Sequence, residues 1–564
     1  MLGLVLAAVV WGVVVALMLF GASGTSRDAL DELRAAQDER TFSALVDPAT
    51  AARMHAAADG FSDADSTFGS PVVAPARFLP IVGRQIRAAD SLNHAAAETA
   101  DLAADAADEL REATTGPTPV GAERVALIQQ LSDLVGRTST GLEGIDPDRP
   151  EALIGTIDEA FDTFTEARED GLEGLHNAEA VLDGAVQLLD GQSRYLLLGA
   201  NNAEMRAGSG MYLSAGTLEI TAGSLRLGEV EPTSDMILEE PVPVEGDLAA
   251  NWPWLAPGRD YRNLALSPSF PETAALAQRM WAVTPGGGPV DGVMAIDVEA
   301  IQAMLGVVGP VEVDGVVYDK DSVRFQLLNG QYKRFDGRNQ QRKEALGQVA
   351  RAVFDKLEGG GWKVDELATA LVDATQGRHL LLWSSVEAEQ TAWATAGADG
   401  HLDEDSLAVS VLNRGANKLD FFLDSAIDVQ TAPSDAGGTD VSVTVVLTNR
   451  TPAGEPKYVA GPSVDDVAEG EYSGIVEVNM PGAATDVTFT GGLYSTLTGV
   501  DGPTVVSAQF VRIPRGASAT VVLTFRLPDG VTSFSVEPTA RVPTTTWTLD
   551  GAAFNADRRR TLEW

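Results

Sequence analysis

Residues 196–210 read LLLGANNAEMRAGSG. Three leucines suited to a buried strand give way at Gly199 to Asn201, Asn202, Glu204 and Arg206, and then to small residues through Gly210. A plain turn needs one Asn or Gly. Two amides, an acid and a base within six positions predict a strand that ends near Ala200 at a polar site, because open α/β sheets hold ligands beyond their strand ends. The flanking sequence fits that layering. RYLLLGA (194–200), TLEITAG (217–223), VDGVMAID (290–297) and HLLLWSS (379–385) read as strands. PETAALAQRMWA (271–282), VEAIQAMLGVV (298–308), GRNQQRKEALGQVARAVFDKL (337–357) and VEAEQTAWATAG (386–397) read as helices. Alternating strands and helices predict an α/β layered domain over residues 191–404.

Working outward, the periodicity changes on both sides. Upstream, FLPIVGRQIRAADSLNHAAAETADLAADAADELREA (78–113), a second run from Gly121 and a third from Glu151 repeat apolar residues every three or four positions. They predict a helical domain over 25–190, built as an antiparallel bundle or long hairpin. Downstream of Asp405, short runs such as VSVTVVLTNR (441–450) and SATVVLTFRLPDG (518–530) alternate between Gly, Pro and Asn turns. They predict an antiparallel β-sandwich over 405–550, followed by a tail at 551–564 whose three arginines read as a solvated end. The chain is therefore expected to be multidomain.

Residues 1–24 contain LGLVLAAVVWGVVVALMLFG, an apolar run before the first charged side chain at Arg27. About 20 apolar residues suffice to span a bilayer, and a cleavable signal core is usually shorter, so the expectation is a retained transmembrane helix. The competing reading is a signal peptide cut near Ala22-Ser23-Gly24. No Lys or Arg precedes the run to mark a cytoplasmic side, and a start upstream of Met1 would supply one. With no second apolar span, the bulk of the chain is expected to lie outside the cell membrane.

Charge and composition narrow the function. Asp and Glu number 81 against 40 Lys and Arg, for a net charge of −41, which repels nucleic-acid backbones. The absence of cysteine excludes disulfides, thiolate nucleophiles and Cys-ligated zinc. His55, His94, His176, His379 and His401 lack metal-ligand spacing, and no nucleophile elbow, Walker motif or dinucleotide fingerprint is present. What stands out is positive charge. YKRFDGRNQQRK (332–343) sets Arg334, Arg338 and Arg342 four residues apart, and a helix starting near Asp336 would align the last two. The plain reading is pairing with surplus carboxylates. The sharper reading is a phosphate or pyrophosphate cradle joined by Arg206 and Arg262, since guanidinium forks match phosphate oxygens in pairs.

LLLGANNAEMRAGSGMYLSAGTLEI (196–220), DYRNLALSPSFPETAALA (260–277) and VDGVMAIDVEAIQAMLGVVGPVEV (290–313) resemble the bacterial membrane-anchored family known as domain of unknown function 4012. PARFLPIVGRQIRAADSL (75–92) and NRGANKLDFF (413–422) are similar to it too. The α/β segment also resembles, more distantly, the LytR-CpsA-Psr phosphotransferases. That resemblance implies glycopolymer transfer from a polyprenyl-pyrophosphate lipid to the cell wall. Their strand–Gly–Asp signature is echoed by Leu198-Gly199-Ala200-Asn201, their Asn-containing motif by Arg262-Asn263, and their arginine helix by FDGRNQQRKEAL (335–346). The resemblance implies that Arg338 and Arg342 grip pyrophosphate. Pro310 replaces a Gly of that pattern, Asn201 replaces the strand-end Asp, and a following Arg-Ser-Asp stretch reads Ala207-Gly208-Ser209-Gly210.

Magnesium prefers carboxylate oxygens, which those positions lack. The leading expectation is therefore an envelope protein that binds a phosphorylated polyprenyl or glycan ligand without necessarily turning it over. Its candidate site comprises Asn202, Glu204, Arg206, Arg262, Asn263, Arg334, Arg338 and Arg342. A divergent phosphotransferase would use magnesium on Glu204 and Asp336. A third possibility is a scaffold for other envelope proteins, in which Asn201, Asn202 and Glu204 satisfy loop backbone groups.

Overall fold

The computed structural model describes residues 49, 52, 54–56, 59, 78–335, 339–554 and 557–564, with backbone alone described at 339–346. The expected membrane helix at 1–24 lies outside the described residues. Among those described, no helix is long and apolar enough to cross a membrane. The chain forms two compact units. Unit 1 comprises the residues up to Asp190 together with 360–369, and unit 2 comprises 191–359 with 370–564.

Unit 1 is helical. α1 (Val82–Thr114) buries Ala88, Leu92, Ala96, Ala100, Ala103, Ala107 and Leu110, an i, i+3, i+4 stripe of mostly one-carbon side chains. Such a stripe lets a neighbouring backbone approach closely. At Gly141 of α2 (Ala122–Glu143), an added Cβ would lie 3.0 Å from the Leu102 methyls. Arg137 pairs with Glu109 at 2.5 Å, so rising numbers in α2 meet falling numbers in α1. α3 (Gly155–Asp190) runs back along α2 in the same way, with Ser132 bonded to Asp183 and Arg168 donating to the Leu142 carbonyl. Phe161, Phe164, Leu175 and Leu182 complete the core of an antiparallel three-helix arrangement.

Unit 2 opens with β1 (Gln192–Met205), β2 (Gly210–Thr221), β3 (Ser224–Leu227) and β4 (Glu231–Pro232). α4 (Phe270–Val283), β5 (Gly292–Ile296), α5 (Val298–Val308) and a small hairpin of β6 (Val311–Val313) and β7 (Val316–Tyr318) follow. α6 (Asn339–Glu358), the part of α7 (Val364–Gln376) after Thr369, β8 (Leu380–Ser384) and α8 (Glu387–Thr395) complete the layer. The sheet order is β3-β2-β1-β5-β8, with β4 paired to β2. It is mixed. β1 and β5 run parallel, whereas β1–β2 and β5–β8 are antiparallel.

The opening stretch departs from the sequence expectation. β1 does not stop at Ala200 but continues to Met205, through register shifts after Gly199 and after Asn201. The polar cluster thus lies inside a central strand that is bent twice by irregular pairing. The chain then reverses at Ala207-Gly208-Ser209, where the Arg206 amide donates to the Ser209 carbonyl at 2.8 Å. Gly210 is obligatory, because a Cβ there would sit 2.4 Å from the Asn201 carbonyl carbon. Leu196 and Leu198 are fully buried in the core that also takes Ala274, Ala277 and Met280 of α4. Burying each large apolar side chain contributes about 1.5–3 kcal/mol.

The remaining strands are β9 (Ser406–Asn413), β10 (Leu423–Pro433), β11 (Thr439–Asn449), β12 (Tyr472–Met480), β13 (Thr485–Thr490) and β14 (Tyr494–Asp501). β15 (Thr504–Ile513), β16 (Ser518–Leu527), β17 (Ser533–Glu537), β18 (Thr546–Leu549), β19 (Ala552–Phe554) and β20 (Arg560–Glu563) end the chain. They form two sheets, β13-β16-β11-β10-β18-β19 and β14-β15-β12-β9-β17-β20. Most pairings are antiparallel, but β10–β18 and β9–β17 are parallel, because the C-terminal strands return to the sheets from loops that cross between them. The region after residue 551 is no tail: β19 and β20 pair with β18 and β17. Arg559 binds Asp403 and Glu537, and Arg558 binds Asp373.

Burial explains why the α/β layer and the sandwich form one unit. β11 alternates buried and half-buried residues, as a strand with one solvated face should. β9 and β12 are buried at every position. Leu412, Ile475, Leu497, Val506 and Ala508 turn away from the sandwich interior and join the same core as Leu196 and α4.

That second buried face carries a cost at Glu477. Its side chain is 1% exposed and neither carboxylate oxygen has a hydrogen-bond partner among the described residues. Burial, reinforced by the charge of Asp501, holds this carboxyl well above its ordinary 4.5. A raised acid favours folding while both states are protonated, and that advantage is lost as pH rises above 4.5. We expect Glu477→Met to raise stability at pH 7 by about 1–3 kcal/mol and to flatten this pH dependence. Chemical denaturation from pH 4 to 8 checks it, and a destabilised variant at pH 7 would refute it.

Candidate functional site

The far end of β1 and the loop after β9 enclose a cavity of about 590 Å³. Glu204, Arg206, Arg262 and Asn263 all line it, drawn together from the end of β1 and a helical turn some 56 residues later in sequence. Asp260, Glu231, Arg414, Lys418 and Tyr458 complete its polar wall. Four cations therefore face three carboxylates, an excess of positive charge within a chain of net charge −41.

Each cation is held differently. Arg206 is almost fully buried. Its Nη1 donates to the Met205 and Asn413 carbonyls at 2.9 Å and its Nε to the Arg262 carbonyl at 3.2 Å. These neutral acceptors orient the guanidinium without cancelling its charge, and burial pushes its pKa below the usual arginine range. Arg262 is gripped by Asp260, with Nε 2.9 Å from Oδ1 and Nη2 2.5 Å from Oδ2. Asp260 also accepts from the Arg262 amide, fixing the single helical turn Tyr261–Asn263. Lys418 forms a buried ion pair with Glu204 and lies 5.8 Å from the Tyr458 ring centre. Burial, the largest influence, would lower its pKa, but the charge and hydrogen bond of Glu204 together with Tyr332 and Tyr458 outweigh it and the net shift is upward.

Arg414 is the exception. Its guanidinium sits over the Trp254 ring at 5.2 Å and makes no ion pair with any described residue. Burial, reinforced by the charge of Arg206, lowers its pKa to about 10. A half-buried, unpaired guanidinium beside another cation is a demand for an anion.

The other candidates lie elsewhere. Asn202 donates to Asp297 at 2.6 Å and to the Ala540 carbonyl at 2.8 Å, so it orients neither Arg206 nor a metal. Asn201 donates to the Tyr332 hydroxyl and accepts from the Ala203 amide. Arg334 donates to Gln326 from the end of a short helical segment, and the described part of α6 runs from Asn339. Asp336 and Arg338 lie outside the described residues, as does the side chain of Arg342.

The two carboxylates nearest the cavity's cations are poor magnesium ligands, since Glu204 is bound to Lys418 and Asp260 to Arg262. Among the described residues, no cluster of three or more His, Asp or Glu is arranged to hold a metal. The site as built suits an anion better than a cation. Arg414 and Lys418 were missed in the sequence reading. The signal was present in NRGANK (413–418), where two cations sit among turn-forming residues, with Ala416 at φ 47°.

Residues 190–332, from the start of β1 to Tyr332, match the family model described as protein of unknown function (DUF4012). No curated protein and no solved structure matches the chain.

Proposed function

We propose that this is a membrane-anchored cell-envelope protein whose second unit binds a phosphorylated glycan or polyprenyl ligand. In this reading residues 1–24 form the anchor, and the remainder lies outside the cell. The observation that carries the proposal is the unpaired Arg414 guanidinium, set in one cavity with Arg206, Arg262 and Lys418. A phosphate group would accept from Arg414 and from the cavity-facing edges of Arg206 and Arg262, without displacing the carbonyls that hold Arg206. The distant resemblance to polyprenyl-pyrophosphate phosphotransferases points to the same ligand chemistry.

The test is calorimetric titration of the full chain with inorganic pyrophosphate and with a polyprenyl pyrophosphate. Wild type should bind both, and Arg414→Gln should weaken both by about tenfold or more, as expected for losing a charge-assisted hydrogen bond. Equal affinity in wild type and variant, at unchanged melting temperature, overturns the reading.

A further inference from the structure

A second cavity, of about 510 Å³, adjoins the first, and Arg414 and Val464 line both. Its lining differs in kind. Tyr494 stacks on Phe510 with ring centres 4.9 Å apart and planes 12° from parallel, and Tyr494 remains 56% exposed. Trp254 is 54% exposed at the junction, steadied on one side by Arg414 and tilted against Trp252 at 5.8 Å. Between these rings the walls offer Ser473, Ser495, Thr496 and Asp465.

Large aromatic rings left half exposed around one groove mark a binding surface. An aliphatic tail would leave the hydroxyls and the carboxylate facing apolar surface. A peptide strand would need a free sheet edge, and although β14 is the edge of its sheet, the groove opens on ring faces and hydroxyls. A pyranose satisfies both features at once: its C–H face lies on an aromatic ring while its equatorial hydroxyls bond to Ser, Thr and Asp. For comparison, the apolar cleft beside the cavity, lined by Leu213, Ile301, Leu328 and Val349, holds only about 80 Å³.

We infer that the groove formed by Trp254, Tyr494 and Phe510 binds a pyranose segment of the ligand whose phosphate occupies the arginine cavity. The sugar subsite then joins Trp254 of the α/β layer to Tyr494 and Phe510 of the sandwich, and the anion subsite joins Arg206 and Arg262 to Arg414 and Lys418 from the loop after β9. This rests on the proposed anion site for the identity of the ligand, but the groove can be tested without it.

Three sets of probes separate the two. Inorganic pyrophosphate reports the cavity alone. Neutral tetrasaccharides of glucose, N-acetylglucosamine and galactose report the groove alone. Polyprenyl-pyrophosphate-linked N-acetylglucosamine, compared with sugar-free polyprenyl pyrophosphate, reports both. At least one tetrasaccharide should bind wild type at millimolar concentration and perturb tryptophan fluorescence. Tyr494→Ala should weaken the sugar-bearing probes by about threefold to tenfold while leaving pyrophosphate affinity unchanged, and Trp254→Ala, which also removes the ring beneath Arg414, should weaken the sugar-bearing probes at least as much. If no tetrasaccharide binds and the attached sugar adds nothing to affinity, the groove inference is overturned, whatever pyrophosphate does. If a tetrasaccharide binds through Trp254 while pyrophosphate fails, the groove stands and the anion reading falls.

Discussion

Replacing Asp420 with alanine is expected to destabilise unit 2 by about 3–5 kcal/mol, the cost of stripping a buried cation of its counter-ion. Asp420 is fully buried in the helical turn after β9, and four donors converge on it. The Met205 amide at 3.0 Å and Asn413 at 2.8 Å reach Oδ2, while the Tyr472 hydroxyl at 3.0 Å and Arg541 at 3.1 Å reach Oδ1. These come from β1, β9, β12 and the loop before β18, so one carboxylate ties the α/β layer to the sheet of β9 and β12 and to the loop that leads to β18. Arg541 is itself buried; its Nη2 donates to the Leu423 carbonyl and its Nε has no hydrogen-bond partner among the described residues. The alanine variant would leave it charged and uncompensated. Asp420→Asn should lose less, and adding Arg541→Met to the alanine variant should recover part of the loss, since removing both charges also removes the penalty. Tryptophan fluorescence in a denaturant titration suits the measurement, because every tryptophan except Trp11 and Trp362 belongs to unit 2. A loss below about 1 kcal/mol would mean that the hub is an incidental meeting of polar groups. The effect should extend to ligand binding, since the lost bond to Met205 lies next to Arg206.

How far the sequence reached can be judged from β1 itself. Its first half was legible because Leu196, Leu197 and Leu198 form an apolar run bounded by a glycine, a local pattern. Its second half was not. Asn201, Asn202 and Glu204 remain in a strand because their side chains find partners at Tyr332, Asp297 and Lys418, up to 214 residues away. No local rule carries that information. The same limit applied to the site. Arg206 and Arg262 drew notice through their charge and an echo of known motifs, and both line the cavity. Arg414 and Lys418 were passed over because they sit in a loop between strands of what read as a separate sandwich. Continuous burial of β9 and β12 was the clue that the sandwich has a second covered face.

Asn202 leads to the second large effect. Asp297→Ala should also cost about 3–5 kcal/mol, with a signature in its pH dependence. The Asp297 Oδ1 caps α5 by accepting the Glu299 and Ala300 amides at 2.9 and 3.2 Å, a cap that alone contributes about 0.5–2 kcal/mol. Its Oδ2 accepts from Asn202 and from His379 Nδ1, each at 2.6 Å. His379 is buried, and Asp557 lies 3.8 Å from its Nε2. Burial pulls the imidazole pKa down, but the two carboxylates prevail and it rises from 6.5 to about 10. A raised base stabilises the fold fully below pH 6.5 and loses that contribution as pH climbs through about 10. Wild-type stability should therefore fall between pH 7 and 10 by more than that of Asp297→Ala, whose His379 keeps only the distant Asp557 and stays largely neutral. Subtracting the two denaturation profiles cancels the tyrosines and lysines that titrate in the same window. Parallel profiles would show that His379 is neutral in the native protein, leaving Asp297 as a helix cap alone. A converging pair would show that the strand crossing this core depends on a buried imidazolium for part of its stability at neutral pH.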